Sequence, residues 1–314
     1  MKIKFDAEIV GDYWTSCENR WNIELGKHRH KRLFMNPMAI GASLEEGYSQ
    51  FENEHGSERL EGILAFILKT ARFAMPLKEM IQSDFVCRRG LLRNISINKN
   101  STTYISFYAV RHRGVIFLCE DKENDTPDKL RRAMYYSLKF EQLMTLPQTS
   151  KVTASKTHET KAVIQACLKK EGEEDVRIYY AAEIDCLNEA GSPVEFRTIS
   201  KPLESGWDKN RTMAWYMHCF LANVKTVYVG ERQRLCLRDI KSIDTENIYT
   251  HRTQPWDRES CIEHIFTTLT FVRHYMTQDG MALKFTAING TNYVSTTEFG
   301  AYIVPENFLR HFPF

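Results

Sequence analysis

The chain has 314 residues, 43% hydrophobic and 26% charged, enough apolar material for a packed core and too much for wholesale disorder. Lys and Arg number 42 against 40 Asp and Glu, a formal net charge of +2. That balance excludes a histone-like basic tail and a strongly acidic solvating chain, and it leaves room for a local basic groove.

No window of about 18 apolar residues occurs. The first residues lack the apolar run of a secretory signal, and Arg310-His311-Phe312-Pro313-Phe314 carries no lipidation motif. The expectation is no membrane span and no lipid anchor. Eight cysteines form no C-x-x-C pair, which argues against a zinc ribbon or a disulfide scaffold and for reduced thiols inside a cell. With no internal repeat, no low-complexity linker and only 15 Gly and 9 Pro, residues 1–314 are expected to form one domain.

In chain order, residues 1–50 read as irregular. Their basic run Lys27-His28-Arg29-His30-Lys31-Arg32 reads as a solvated strand edge or loop, with a localisation signal as the alternative. Apolar residues at helical spacing predict a buried helix over 57–71. Aromatic and β-branched residues predict two strands over 102–120 around an Arg113-Gly114 turn. Thr126-Pro127 suits an N-cap and first helical position, so a helix is predicted from there to about Met144. On it, Tyr135, Tyr136 and Phe140 read as core. Lys129, Arg131, Arg132 and Lys139 read as a solvated face, or alternatively as part of a basic groove.

Residues 146–158 read as a polar connector and 159–170 as a short amphipathic helix. Strands are predicted over 176–187 and 193–199, a helix over 209–222, and two strands over 224–238 around Gly230. A long helix over 258–277 precedes a hairpin around Asn289-Gly290. Helices interleaved with antiparallel hairpins give an α+β fold, with a mixed central β-sheet flanked by helices.

The stretch that carries chemistry is Glu183-Ile184-Asp185-Cys186 followed by Glu195-Phe196-Arg197. Side chains alternate along a strand, so Glu183 and Asp185 share one face, and Glu195 and Arg197 share one on the next strand. Paired as a hairpin, the strands would bring three carboxylates and a guanidinium together. Carboxylates side by side are unfavourable unless a cation neutralises them, and hard oxygen ligands suit Mg²⁺ or Mn²⁺ rather than zinc. The plainer reading is the wet face of an antiparallel sheet.

The D-x9-E-x-R pattern of Asp185, Glu195 and Arg197 resembles the core of PD-(D/E)xK nucleases, with Glu141 on the preceding helix as a further carboxylate. A closer resemblance covers nearly the whole chain. Ser137-Leu138-Lys139-Phe140-Glu141-Gln142 resembles the G-Y-K-F-E-Q motif of the decapping exoribonuclease family. Glu183-Ile184-Asp185-Cys186 resembles its E-V-D-C, Glu195-Phe196-Arg197-Thr198 its E-L-K-T, and Arg89-Gly90 its R-G motif. Trp215-Tyr216-Met217-His218-Cys219-Phe220-Leu221 resembles its W-W-A-Q-S-F-L helix.

The resemblance implies a PD-(D/E)xK-like core and a metal-dependent hydrolase at RNA 5′ ends. Such proteins remove incomplete or nucleotide-type caps, convert 5′-triphosphate ends and often degrade RNA from 5′ to 3′, in the nucleus or cytoplasm. It implies two Mg²⁺ or Mn²⁺ ions held by Glu141, Asp185, Glu195 and the Phe196 carbonyl, with Glu183 binding directly or through water. Arg89 would face the RNA 5′ region, and Arg197 and His218 the substrate. Three departures stand out: Arg197 replaces the family lysine, His218 replaces a glutamine, and 98–103 holds no acid where the family has a glutamate. They motivate an alternative, a non-catalytic member that binds RNA 5′ ends or regulates a partner 5′–3′ exoribonuclease.

Overall fold

The computed structural model describes residues 2–36, 38–51, 58–72, 75–99, 104–121, 128–146, 153–205, 208–250, 255–295 and 303–312. Strands β1 Lys4–Ser16 and β2 Ile23–Leu25 come first, then α1 Glu61–Thr70, α2 Leu77–Ile81, β3 Phe85–Arg88 and α3 Arg89–Asn98. Next are β4 Ile105–His112, β5 Val115–Glu120, α4 Asp128–Thr145, β6 His158–Lys169, β7 Val176–Glu183, β8 Cys186–Leu187 and β9 Pro193–Ile199. The rest comprises α5 Lys209–Phe220, β10 Thr226–Gln233, β11 Cys236–Asp244, α6 Thr245–Thr250, α7 Arg258–Tyr275, β12 Ala282–Ile288, β13 Thr291–Ser295 and α8 Glu306–His311.

A nine-stranded sheet runs in the order β13-β12-β4-β5-β3-β7-β6-β1-β2. It is parallel where β3 meets β5 and β7, and antiparallel elsewhere. Alternate residues of its central strands feed opposite cores, as a two-residue period requires. Phe85, Cys87, Ile164 and Tyr180 pack with Leu92 of α3, Met217 of α5 and Ile265 of α7. Val86, Val163 and Ala181 pack with Ile63 of α1, Leu77 of α2 and Phe308 of α8. A second sheet, β11-β10-β9-β8, has β9 parallel to β10. Helix α4 lies on it, packing Tyr135, Tyr136, Phe140 and Leu143 with Cys186, Val194 and Phe196. The α+β expectation, with a mixed sheet flanked by helices, is borne out.

Four local expectations are corrected. Residues 159–170 belong to strand β6, not a helix. Its residues are buried on both faces, so the polar alternation that marks a strand is missing. Residues 1–50 are not all irregular: β1 is a long strand paired with β6 from Lys4↔Lys169 to Ser16↔His158. Its half-exposed, charged face hides it from apolar patterning. Residues 176–187 are not one strand, because the chain leaves the large sheet after Glu183 and enters the small one at Cys186. Finally, the turn between β10 and β11 falls at Arg234 and Leu235, and Gly230 lies inside β10. The hairpins at Arg113-Gly114 and Asn289-Gly290 form as expected, all four residues having positive φ. Ser57, Thr126 and Pro127 lie outside the described residues, as do 100–103.

Of the cations of α4, Arg132 lies on a partly solvated face, and Lys139 departs from it. Arg131 donates to the Phe51 carbonyl, Arg132 pairs with Glu45 at 2.8 Å, and Lys139 is buried; the Lys129 side chain lies outside the described residues. Among the described residues no helix is long and apolar enough to cross a membrane. All eight cysteines are free thiols.

Gly230 explains its own misreading. A Cβ there would stand 2.8 Å from Leu237 Cδ1 and 3.0 Å from Phe140 Cε2, so glycine leaves room for the Phe140 ring of α4 against the small sheet. Strand preference alone would favour valine at this position by up to about 1 kcal/mol. Overpacking reverses the sign: Gly230→Val is expected to lower stability by about 1–3 kcal/mol, read by urea unfolding. A variant as stable as the parent would show that α4 is not seated as described.

Candidate active site

The step between the two sheets builds the site. Glu183 ends β7, and Thr160 of β6 then clamps Ile184 twice. The Ile184 N–H donates to the Thr160 carbonyl at 2.9 Å, and the Thr160 hydroxyl donates to the Ile184 carbonyl at 2.9 Å. Asp185 sits in the break. On the far side β8 and β9 pair through Cys186↔Val194, and the Phe196 N–H donates to Asp185 Oδ2 at 2.8 Å. The Phe196 ring meets Phe140 edge-on at 5.6 Å, which seats the next residue of α4, Glu141, above the same strand. Arg89 opens α3 and His218 lies on α5.

All the residues singled out in the sequence line one cleft of about 480 Å³: Arg89, Glu141, Glu183, Asp185, Glu195, Phe196, Arg197 and His218. The route differs from the one expected. Strict alternation along a single 176–187 strand does not apply, since the break rather than the pleat brings Asp185 beside Glu183.

Three of the four carboxylates, Glu141, Glu183 and Glu195, meet a cation of the protein. Lys31 Nζ donates to Glu141 Oε1 at 2.5 Å. Lys156 Nζ lies 2.6 Å from Glu183 and 2.8 Å from Glu159. Arg197 lies 2.9 Å from one oxygen of Glu195; His218 Nε2 lies 3.2 Å and Arg89 4.0 Å from the other. Arg89 also donates to the Glu183 carbonyl at 3.2 Å. One wall of the cleft continues into an ion network. There Lys161 pairs with Glu58 at 2.9 Å and also with Glu159, Arg20 pairs with Glu159 at 2.8 Å, and Arg88 with Glu58 at 3.3 Å.

These surroundings split the acids. Burial, then Glu195 and Glu183, push the Asp185 carboxyl up to about 8 against the Phe196 N–H. Burial and Asp185 push Glu141 up to about 7, although Lys31 opposes them. Burial and Glu159 act the same way on Glu183, but Lys156 and Lys161 outweigh them and hold it below the usual range. Burial, Arg89, Arg197 and Arg93 hold the His218 imidazole well below its ordinary value, so it is neutral near pH 7.

Among the described residues no three acid, histidine or cysteine side chains stand together as a ready-made metal cage. The donor set nonetheless fits a hard divalent ion. Glu141 and Asp185 are crowded acids held back from ionising, and Glu195 Oε2 is buried without a hydrogen-bond partner, as are Arg197 Nε and His218 Nδ1. Glu141, Asp185, Glu195 and the backbone at Phe196 are the oxygens that would hold such an ion.

The model of a RAI1-like PD-(D/E)XK nuclease matches residues 11–309. The chain belongs to that family. The decapping nuclease dom-3 of Caenorhabditis elegans is 27% identical to this RAI1-like chain over 307 residues, covering 90% of it and 76% of the relative. The crystal structure of Candida albicans Rai1 in complex with pU5-Mn²⁺ has a TM-score of 0.76 at 16% identity, covering 98% of this chain and 95% of that one. Scheffersomyces stipitis Rai1, in complex with (3′-NADP)⁺ and calcium ion, has a TM-score of 0.77 at 14% identity, covering 98% and 96%. The last two establish a shared fold, and the family resemblance read from the motifs is borne out.

Sequence reasoning missed Lys31, Lys156, Glu159 and Lys161 as neighbours of the RAI1-like site. Lys31 was visible only as one charge in the 27–32 run. Glu159-x-Lys161 was hidden by the helical reading of β6.

The acid pair sets a pH dependence. A carboxyl whose folded value is raised contributes stability that is complete below its unfolded value, 3.8 for Asp185, and lost as pH rises through about 8. Asp185→Asn removes that loss. In chelator, its stability relative to the parent is expected to climb steadily from pH 4 to pH 8, followed by urea unfolding. A flat difference would mean that Asp185 ionises freely in the cleft.

Proposed function

We propose that this chain is a metal-dependent hydrolase of RNA 5′ ends, removing incomplete or nucleotide-type caps or terminal phosphates, with 5′–3′ exoribonuclease activity in RNA quality control. The observation that carries this reading is the convergence of Glu141, Asp185 and Glu195, from three different elements, with Arg89, Arg197 and His218 on a single cleft. Family membership supports it, as do relatives whose complexes contain a 5′-phosphorylated oligouridine with Mn²⁺ and an NADP-type nucleotide with calcium.

Two Mg²⁺ or Mn²⁺ ions, when bound, would supply Lewis acidity toward the phosphate and lower the pKa of water. The chain's residues do the rest. Glu141, Asp185, Glu195 and the Phe196 carbonyl would hold the ions, with Glu183 binding directly or through water. Arg89 and Arg197 offer fixed, charge-assisted donors to a 5′ phosphate. A guanidinium keeps its proton, so Arg197 steadies developing charge and does not act as a base.

A second reading, RNA 5′-end binding without turnover, as in a regulator of a partner exoribonuclease, is favoured by one observation. Both oxygens of Glu195 already face the protein's own Arg197 and His218.

The test offers RNAs bearing a monophosphate, a triphosphate, an unmethylated guanosine cap or an NAD cap, with Mg²⁺ or Mn²⁺. Metal-dependent release from one or two of these ends is expected. Asp185→Ala/Glu195→Ala should lower it about a hundredfold or more, a barrier rise of about 2.7 kcal/mol. Release unchanged by that double substitution overturns the site. RNA retained on every end without turnover, and cleavage restored by Arg197→Lys/His218→Gln, would support the second reading.

A further inference from the structure

We propose that Lys31 is a positioning residue of the active site: from behind the cleft it holds one oxygen of Glu141 and aims the other at the ion site. The inference rests on the functional reading above, which takes Glu141 as an ion ligand.

The placement is built into the backbone. The Leu187 N–H donates to the Lys31 carbonyl at 2.9 Å and the Leu33 N–H to the Leu187 carbonyl at 2.8 Å. Arg32 thereby forms a parallel bridge with Leu187, two residues beyond Asp185. The basic run is thus bound to β8 at this end, which fixes the start of the Lys31 side chain relative to the carboxylates. From there its Nζ reaches Glu141 Oε1 at 2.5 Å.

The side of approach decides the role. Lys31 borders a narrow space of about 10 Å³ together with Glu141, Glu183 and Asp185, and is absent from the lining of the 480 Å³ cleft; Glu141 borders both. A charge-assisted hydrogen bond to one oxygen from that side restrains the carboxylate's torsion and leaves the second oxygen to the cleft. The ammonium also offsets the repulsion that Asp185 and Glu183 exert on Glu141. Lys156 pairs with Glu183 but itself lines the cleft and is shared with Glu159, so Lys31 offers the cleaner test.

Mn²⁺ binding by the full chain, Lys31→Met and Lys31→Arg is measured calorimetrically, with thermal unfolding in chelator to verify the fold. Partners that orient a metal ligand typically contribute 10–100-fold in affinity. Lys31→Met is therefore expected to weaken Mn²⁺ binding by about tenfold or more and Lys31→Arg to recover most of it. Lys31→Gln, with the same expected loss, stands in if the Met variant does not fold. Equal affinity in the parent and Lys31→Met overturns the positioning role alone. Tighter binding in Lys31→Met overturns it in favour of an amine that competes with the ion. A parent chain that binds no Mn²⁺ overturns the functional reading itself, and this inference with it.

Discussion

Repulsion among carboxylates is the constraint on which the rest of the cleft depends. Glu183 and Asp185 are two residues apart across a sheet break, and Glu195 is tied back to them because its neighbour Phe196 donates to Asp185. Two like charges about 4 Å apart near a protein surface repel by roughly 4 kcal/mol. The fold meets this in layers. Lys31 and Lys156 stand against Glu141 and Glu183, while Arg197, His218 and Arg89 stand against Glu195. Glu58 and Glu159 then balance the cations Lys161, Arg20 and Arg88 behind them. Asp185 accepts from the Phe196 backbone N–H and faces no ion-pair partner among the described residues, and its acid range is raised further than that of Glu141, which makes it the position where an external cation would gain most.

Holding such a cluster requires a rigid frame, and the break supplies it at a point where sheets are usually weak. Thr160 bonds Ile184 from both its carbonyl and its hydroxyl, so the chain crosses between sheets without a loose residue. Ile184 itself is buried in the core beneath α3, α5 and α7. On the other side Phe140, Phe196 and Gly230 form one packing unit: the glycine admits the Phe140 ring, which meets Phe196, and the two adjacent acids, Glu141 and Glu195, follow from that contact. Stability of the core and placement of these carboxylates are therefore the same problem in this part of the molecule.

The fold class was legible in the interleaving of helices and hairpins, the closeness of Glu183, Asp185, Glu195 and Arg197 in acids that alternate with apolar residues, and the addition of Arg89, Glu141, Phe196 and His218 only in the resemblance of their motifs to the family. The hairpins at Arg113-Gly114 and Asn289-Gly290 were legible because positive φ at two successive positions demands such residues. What escaped had a physical cause in each case. β6 is buried on both faces, so its apolar run carries no period of two. β1 is half exposed along its length and owes its form to pairing with β6 rather than to its own pattern. The partners of the site, Lys31 and Lys156, come from segments remote in sequence, and only the closed fold brings them to Glu141 and Glu183.

The basic residues of the cleft bear on the chemistry proposed for it. Arg197 holds its proton at any working pH, and burial beside Arg89, Arg197 and Arg93 keeps His218 neutral rather than adding a further charge. The cleft thus combines fixed guanidinium donors with one imidazole whose Nδ1 has no protein partner. Donors of that kind stabilise negative charge on a phosphate without exchanging a proton with it. A lysine in place of Arg197 could have served both ends, since a buried ammonium can lose its proton. With arginine there, the proposed hydrolysis would leave proton movement to water and to the crowded carboxylates, whose acid range is raised to about 7 and about 8. The substitution therefore shifts the cleft toward charge stabilisation and makes its chemistry depend more heavily on what the carboxylates hold.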